Sequence, residues 1–260
     1  MSGALAGKVC LIAGTTGIDG ASARLFGREG ASIVAVGRSP DHAADLGAGL
    51  TAASVANLVL PEDLAASGAA ERVHAAALER FGRIDVLFHV AGISGRSLGD
   101  GPLAECTDQG WDAVMAVNLR AMMRLNRACL RHWLEVRQPG VILNMASVLG
   151  FSFVADQFNT VAYAAAKGAV ISLSQHAAAT YAKEGIRINV IAPALVETPM
   201  AARATRNPAV LELMRRKQPL TGRPLVDEDC ARAALYLCSE ASAGVTGIVL
   251  PVDAGWCVSG

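Results

Sequence analysis

Near the start of the chain, an apolar run leads into a glycine-rich segment in the stretch Val9-Cys10-Leu11-Ile12-Ala13-Gly14-Thr15-Thr16-Gly17-Ile18-Asp19-Gly20. The run predicts a strand that is buried on both faces, and the glycines predict a tight turn into a helix over 20–29. Backbone N–H groups at such a helix N-terminus bind phosphate. Any tight strand–helix turn favours glycine, but the position in a first βα unit favours a nucleotide site.

The remainder of the chain alternates short apolar runs with longer helical stretches. Further strands are predicted at Ser32–Val36, Leu58–Leu60, Ile84–Val90, Val141–Met145, Ile186–Ile191 and Val245–Val252. Further helices are predicted at Asp41–Leu50, Ala65–Phe81, Gln109–Val136, Thr160–Lys183 and Asp227–Ser239. This order is typical of βαβ units with right-handed crossovers. We predict an α/β fold, a single domain over 1–260 whose doubly wound parallel sheet has about seven strands and helices on both faces.

Composition excludes several classes of protein. The 260 residues are 52% hydrophobic and 18% charged, and 23 basic residues balance 23 acidic ones. The zero net charge argues against a nucleic-acid partner, and no apolar stretch approaches the length of a membrane span. The six cysteines lack metal or redox spacing, so we expect reduced core cysteines and no metal. The N-terminus does not resemble a signal peptide, and we expect a cytoplasmic protein.

Tyr163 and Lys167 give the strongest chemical signal. Their spacing places both side chains on one face of the helix predicted over 160–183. A nearby lysine cation lowers the pKa of a phenol from about 10, so Tyr163 could exchange a proton with an alcohol or ketone. Ser147, just past a strand end, could hold the same oxygen, and Asn118 interrupts an apolar helix face. An isolated pair is more often a surface pair, but this setting favours a catalytic site.

The sequence is similar to the short-chain dehydrogenases/reductases of the Tyr-x-x-x-Lys type, from about Lys8 to Gly255. The matching segments are Gly14–Gly20, His89–Gly92, Val117–Leu119, Ile142–Ser147, Tyr163–Lys167, Ile188–Pro193, Thr198–Met200 and Val252–Gly255. The resemblance implies a Rossmann-like domain that transfers a hydride between a nicotinamide cofactor and a secondary alcohol or ketone. It does not identify the substrate or the direction.

The resemblance also implies roles for individual residues. Tyr163 is the expected acid/base, and Ser147 orients the substrate oxygen. Lys167 holds the nicotinamide ribose and lowers the pKa of Tyr163, and Asn118 anchors a water that relays protons through Lys167. Beyond Asn118, Tyr163 and Lys167, the expected cofactor contacts are Gly14, Thr15, Thr16, Gly17, Ile18, Arg38, Asp63, Leu64, Ala91, Gly92, Pro193, Val196 and Thr198.

The glycine turn departs from the TGxxxGxG pattern of the family. One register places Gly14 first and Gly20 last, with Ile18 at the middle glycine. A second register places Gly17 in the middle and Asp19 at the last glycine, and in both the turn is one residue short. A carboxylate there would repel a pyrophosphate, although Asp19 could instead cap the helix N-terminus.

The second strand bears on the choice of cofactor. A carboxylate at its end selects NAD, whereas a basic residue favours the 2′-phosphate of NADP. Gly37 stands where the acid is expected, and Arg38 could pair with a phosphate at two points. Arg38 could also lie over the adenine ring, and Asp41 could turn inward to bind ribose. We expect NADP, with NAD possible.

Two segments, 147–160 and 194–222, are expected to form the substrate site. The first holds three of the six phenylalanines, Phe151, Phe153 and Phe158. The expected pocket residues are Ser147, Leu149, Phe153 and Tyr163. Packing of the phenylalanines beneath 194–222, or at a subunit contact, is an equally good interpretation. The basic residues of the second segment are interpreted as a solvated helix face.

The sequence therefore predicts an NAD(P)-dependent oxidoreductase acting on a small-molecule alcohol or ketone. The alternative is a cofactor-binding regulatory protein of the same fold with little turnover, which the altered glycine turn suggests. A homotetramer is expected because relatives pair through the two long helices. Apolar residues of the first, Val114, Met115, Met122, Met123 and Leu125, and the alanine-rich second helix support that pairing.

Overall fold

The computed structural model describes residues 3–154 and 157–259 and contains one seven-stranded parallel sheet. The strands are β1 (Val9–Ala13), β2 (Ser32–Gly37), β3 (Asn57–Pro61), β4 (Val86–His89), β5 (Gly140–Met145), β6 (Ile186–Pro193) and β7 (Val249–Val252). Their order is β3-β2-β1-β4-β5-β6-β7, with every neighbouring pair parallel. The predicted doubly wound parallel sheet is confirmed.

Helices cover both faces of this sheet. They are α1 (Ile18–Arg28), α2 (Pro40–Ala52), α3 (Ala69–Phe81), α4 (Asp108–Met115), α5 (Ala121–Val136), α6 (Val161–Tyr181), α7 (Ala202–Thr205), α8 (Pro208–Lys217) and α9 (Asp227–Cys238). A π-helical turn over Ala116–Arg120 joins α4 to α5, so the single helix predicted over 109–136 has a widened turn in its middle.

Two other boundaries differ from the sequence prediction for reasons of backbone geometry. The helix predicted from Ala65 begins at Ala69, after Gly68 has taken a positive φ of 72°. The strand predicted from Val245 begins at Val249, because Gly247 turns the chain with a φ of 76°. Left-handed backbone conformations of this kind cannot continue a helix or a strand.

The alternation of β1 explains why the strand is uniformly apolar. Cys10 and Ile12 pack into the core beneath α1, α2 and α9, whereas Leu11 and Ala13 pack beneath α3 and α5 on the other face. A strand covered by helices on both faces has no polar face, which is why a continuous apolar run predicts it.

Three residues that were expected to pair subunits are buried within this chain instead. Val114, Met122 and Leu125 have no exposed surface, because Val114 on α4 packs against α6 and the two α5 residues pack against α6 and the sheet. Met115 and Met123 are half-buried, and Met115 packs against the cluster that Val114 forms with Ala162 and Ala166 of α6. Across residues 3–154 and 157–259, no helix has both the length and the apolar character to cross a bilayer.

Candidate active site

The main cleft lies at the carboxyl ends of the strands, where β1 and β4 are neighbours and the strand order reverses. It has a volume of about 510 Å³. The loops that follow β1, β2, β4, β5 and β6 all line it. Ligands of doubly wound sheets bind at this point. The cleft receives most of the residues predicted for the site: Gly14, Thr15, Thr16, Ile18, Arg38, Asp63, Leu64, Ala91, Gly92, Ser147, Leu149, Tyr163, Lys167, Pro193, Val196 and Thr198.

Tyr163 and Lys167 lie one turn apart at the start of α6 and both face the cleft. The Lys167 Nζ is 5.6 Å from the centroid of the Tyr163 ring and donates a 2.7 Å hydrogen bond to the Met145 carbonyl. Ser147 follows β5, where its Oγ donates to the Pro193 carbonyl at 3.4 Å and accepts from the Leu149 N–H at 3.2 Å. The three side chains therefore converge from two adjacent elements.

Burial controls the ionisation of this pair. It raises the pKa of Tyr163 above the usual 10.0, and a hydrogen bond with Ser147 opposes that rise. Burial also lowers the pKa of Lys167 to about 8. Desolvation is the main cause of both shifts, and the expected lowering of the Tyr163 pKa by Lys167 stays a prediction.

Asn118 is fully buried in the π-helical turn and does not line the cleft. Its side-chain oxygen accepts from the Ile93 N–H at 2.7 Å, and its Nδ2 donates to the Ile93 carbonyl at 2.8 Å. These two bonds fix the segment after β4, where a Cβ on Gly92 would meet the Asn118 oxygen at 2.9 Å. Both polar ends of the Asn118 side chain are thus hydrogen-bonded to Ile93. We therefore expect a water to bind at the main chain of the π-helical turn and not at this side chain.

Asp100 is a site residue that the sequence reasoning missed. Its carboxylate is buried and accepts 3.0 Å hydrogen bonds from the backbone N–H groups of Ala162 and Tyr163. Thr160, at the N-cap of α6, makes no side-chain capping bond, so Asp100 supplies that cap from a distant loop. No local pattern reveals the contact, because 62 residues separate Asp100 from Ala162.

The glycine turn leads into α1 through Gly17, which has a φ of 57° and packs beside Thr198 rather than lining the cleft. Ile18 is the first helical residue and Asp19 the second. Gly17, the N-cap residue of α1, has no side chain to cap the helix, and the Asp19 carboxyl group lies near its own backbone N–H in the first turn, which favours the charged form. The Asp19 carboxyl turns back towards Gly14, where a Cβ would lie 1.6 Å from its Oδ2.

Arg38 and Asp63, which follow β2 and β3, both line the cleft where the adenosine of a dinucleotide is expected. Gly37 ends β2 against Thr15, and a Cβ at that position would lie 2.5 Å from the Thr15 Oγ1. The Thr15 side chain thus leaves no room for the carboxylate that would select NAD. Arg38 follows immediately, exposed at the rim of the cleft. Asp63 accepts a 2.9 Å hydrogen bond from the Ala65 N–H, which shapes the loop after β3.

Phe158, rather than Phe153, forms the apolar wall beside Ser147 and Tyr163. Phe158 packs edge-on against Trp256 with ring centroids 5.8 Å apart, and both rings line the cleft. Phe153 is 73% exposed and lies outside the lining, so its predicted place in the pocket is not what the structure shows. Trp256 lies in the turn after β7, and its ring packs against Phe158 and holds that ring in the cleft.

The second substrate segment closes the same end of the cleft. Met200, Ala201 and Ala204, around the start of α7, line the cleft opposite Leu149. The basic side chain of Arg215 on α8 faces solvent and pairs with Glu212, in agreement with a solvated helix face. The wall of the substrate end is thus mostly apolar.

The chain is similar in sequence and in fold to several known proteins. A family model described as enoyl-(acyl carrier protein) reductase matches residues 12–257. The cis-4-hydroxycyclohexanecarboxylate dehydrogenase of Sinomonas cyclohexanicum is 33% identical over 98% of this chain and 99% of its own. Dehydrogenase/reductase SDR family member 6 of Danio rerio is 34% identical over 98% of this chain and 99% of its own.

A solved structure from Beutenbergia cavernae, proposed to be an NAD(P)-dependent gluconate 5-dehydrogenase with NADP bound at low occupancy, has a TM-score of 0.89. It is 32% identical and covers 98% of both chains. The chain belongs to the short-chain dehydrogenase/reductase family, as the sequence predicted, and is an oxidoreductase of that family.

The residues present suit a nicotinamide dinucleotide at both ends of the cleft. Arg38 and Asp63 stand at the adenosine end, and Tyr163, Lys167 and Thr198 stand at the opposite end. The glycine turn after β1 is unusual for a phosphate site, because the acidic side chain of Asp19 lies where only backbone N–H groups are expected.

Proposed function

We propose that this oxidoreductase reduces a ketone, or oxidises the matching secondary alcohol, with NADP as cofactor. The observation that carries the proposal is the convergence of Ser147, Tyr163 and Lys167 at one end of a cleft whose other end presents Arg38. In this proposal the cofactor supplies or accepts the hydride. The chain's own residues bind the substrate oxygen and move its proton.

Tyr163 is the proposed proton partner of the substrate oxygen. In the reducing direction its O–H donates to the carbonyl oxygen, and in the oxidising direction the phenolate takes the proton from the alcohol. Ser147 orients that oxygen, because its Oγ already approaches Tyr163 closely enough to affect its pKa. Burial raises the pKa of Tyr163 and so favours the protonated phenol.

Lys167 has two proposed roles. Its cation would hold the nicotinamide ribose, and it would return a proton to Tyr163 through water held at the Asn118 turn. Support comes from its pKa of about 8, which places its proton exchange near neutral pH. Support also comes from the Met145 carbonyl, which anchors the Nζ beside the Tyr163 ring.

NADP is proposed over NAD on two grounds. Gly37 has no space for a carboxylate beside Thr15, and Arg38 can pair with a 2′-phosphate. The related structure from Beutenbergia cavernae was solved with NADP. The remaining contacts proposed for the cofactor are those of the glycine turn, of Leu64, Ala91 and Gly92, and of Pro193, Val196 and Thr198.

The substrate is proposed to be a compact ring or short chain with an apolar body. The wall that faces Ser147 and Tyr163 consists of Leu149, Phe158, Met200 and Trp256, which favour apolar contact. A relative named for a hydroxycyclohexanecarboxylate substrate supports a ring alcohol of that size. Sugar, steroid and acyl thioester substrates are the competing classes.

We also propose a cytoplasmic homotetramer formed by one domain. Free cysteines throughout the described residues, four of them buried, suit a reducing compartment. Met123 on α5 is half-buried, and Trp111 on α4 is exposed. Half-exposed apolar side chains on one rod suit a two-fold helix pairing.

The test is a panel of cyclic, acyclic and sugar ketones, assayed by the oxidation of NADPH with wild type, Tyr163→Phe and Tyr181→Phe. We expect wild type to reduce at least one ring ketone. Tyr163→Phe should lower turnover by roughly 10²–10⁴-fold with cofactor affinity retained. Tyr181, at the far end of α6, provides the matched control and should change little. Full activity of Tyr163→Phe would contradict the proposal, and tight NADPH binding without turnover on any substrate would support the regulatory alternative.

A further inference from the structure

Asp19 stands out because its carboxyl group lies inside the loop that binds phosphate. A Cβ on Gly14 would come within 1.6 Å of the Asp19 Oδ2 and 2.3 Å of its Cγ. The carboxyl group therefore occupies space that is available only because residue 14 is glycine. Asp19 is half-buried and lines the cleft together with Thr15 and Thr16.

The donors around this carboxyl group are those that a phosphate would use. The backbone N–H groups of Asp19 itself, Thr16 and Thr15 lie close enough to this carboxyl group to lower its pKa and favour its charged form. Turns and helix N-termini of this kind bind anions through such N–H groups. Asp19 is thus an internal anion bound in the chain's own phosphate loop.

Burial nevertheless makes the charged form unfavourable. Desolvation is the largest effect and raises the pKa of Asp19 to about 7, against the N–H groups that lower it. Asp227, at the start of α9, raises it further through its charge. The other charged or titratable groups nearby are Arg24 on the next turn of α1, and Arg38 and His42, which line the same cleft from the end of β2 and from α2.

We propose that Asp19 determines the affinity for the dinucleotide, because the pyrophosphate can share this loop only when the Asp19 carboxyl group is neutral. As a neutral acid it donates its O–H to a phosphate oxygen, and the loop N–H groups become free for the phosphate. As a carboxylate it holds those N–H groups and repels the ligand. Nucleotide binding at alkaline pH then takes one proton from solvent.

This inference rests on the proposed cofactor and adds a quantitative expectation. Linkage to one group of pKa about 7 predicts that the Kd for NADPH rises roughly 30-fold between pH 6 and pH 8.5. The direction follows from the binding-competent form, which is protonated: affinity is close to its maximum at pH 6 and declines as the pH rises through 7.

The experiment measures NADPH binding by fluorescence at both pH values for wild type, Asp19→Asn, Asp19→Gly and Asp45→Asn. Asp19→Asn keeps the size of the side chain and an N–H donor but cannot ionise. Its Kd for NADPH should therefore lack the pH dependence due to Asp19 and should stay near the wild-type value at pH 6. Asp45, exposed on α2 and outside the cleft, is the charge-matched control and should behave as wild type. Groups other than Asp19 that line the cleft are the same in wild type and every variant, so their contribution cancels in the comparison.

Proton uptake by wild type decides the question even if a variant fails to fold. Calorimetric titration with NADPH in two buffers of different ionisation enthalpy should give close to one additional proton taken up at pH 8.5 relative to pH 6. The same pH dependence in wild type and Asp19→Asn, or no additional uptake, would overturn the inference. Failure of every variant to bind NADPH at either pH would instead overturn the cofactor proposal.

Discussion

The carboxylate of Asp100 accepts a 3.0 Å hydrogen bond from the backbone N–H of Tyr163, and a second from Ala162, so the loop after β4 caps the helix that bears the proposed catalytic tyrosine. A charged cap at a helix N-terminus satisfies free N–H groups and complements the helix dipole. The position of Tyr163 in the cleft therefore depends on a residue that does not line it.

Replacement of Asp100 should affect both stability and turnover. Asp100→Ala leaves two buried N–H groups without an acceptor, and we expect a loss of about 1–3 kcal/mol in the free energy of unfolding. Fraying of the first turn of α6 should lower kcat more than it raises KM. Urea unfolding and steady-state kinetics test this, with exposed Asp112→Ala as the control. An unchanged kcat in a destabilised Asp100→Ala would assign Asp100 a purely structural role.

We expect the buried cation of Lys167 to lower the free energy of unfolding. Its pKa falls from 10.5 to about 8 on burial, so the cost of holding the cation is complete below pH 8 and decreases as the pH rises towards 10.5. Lys167→Met should raise the free energy of unfolding at pH 7 by about 1–2 kcal/mol, net of the lost bond to Met145. The variant should also lose turnover.

The pH dependence checks the cause of that stabilisation. Urea unfolding of wild type and Lys167→Met at pH 7 and at pH 10 should show an advantage for the variant at pH 7 that shrinks at pH 10. A variant that is less stable than wild type at pH 7 would mean that packing, rather than desolvation of the cation, dominates at this position.

The two phenylalanines of the 147–160 loop should respond differently to truncation. Phe158→Ala removes the ring that packs against Trp256 in the cleft, and we expect roughly a 10-fold rise in KM for an apolar ketone. Phe153→Ala removes a ring that is 73% exposed and should leave KM within twofold. The reverse ranking would show that the loop rearranges when substrate binds.

Arg38 should discriminate between the two cofactors. Loss of a charge-assisted contact with the 2′-phosphate predicts that Arg38→Ala raises the KM for NADP by roughly 10–100-fold, with a change below threefold for NAD. Arg28→Ala, exposed on α1 and outside the cleft, controls for the lost charge. Equal effects on NADP and NAD would place Arg38 over the adenine ring instead.

The proposed tetramer rests on the apolar side chains of α4 and α5 that stay partly exposed. We expect light scattering at micromolar concentration to give a mass near four chains of 26.8 kDa. Met123→Glu should reduce that mass, because it places a charge on the proposed helix pairing. A wild-type monomer would refute the assembly.

The sequence by itself determined the sheet, the family and most of the residues that meet in the cleft. These depend on local patterns: an apolar run such as Val9–Ala13 must be buried on both faces, and the spacing of Tyr163 and Lys167 fixes their common helix face. In a parallel sheet built from alternating strands and helices, the loops that follow the strands all lie at the same edge of the sheet.

Tertiary structure alone decided the remaining features, because they depend on contacts between distant segments. Asp100 reaches α6 across 62 residues, and Trp256, near the C-terminus, selects Phe158 over Phe153 as the wall of the cleft. The pKa of Tyr163 rises because the assembled cleft buries its hydroxyl group away from water. Spacing along the chain specifies which groups share a face, whereas desolvation and long-range packing exist only in the folded protein.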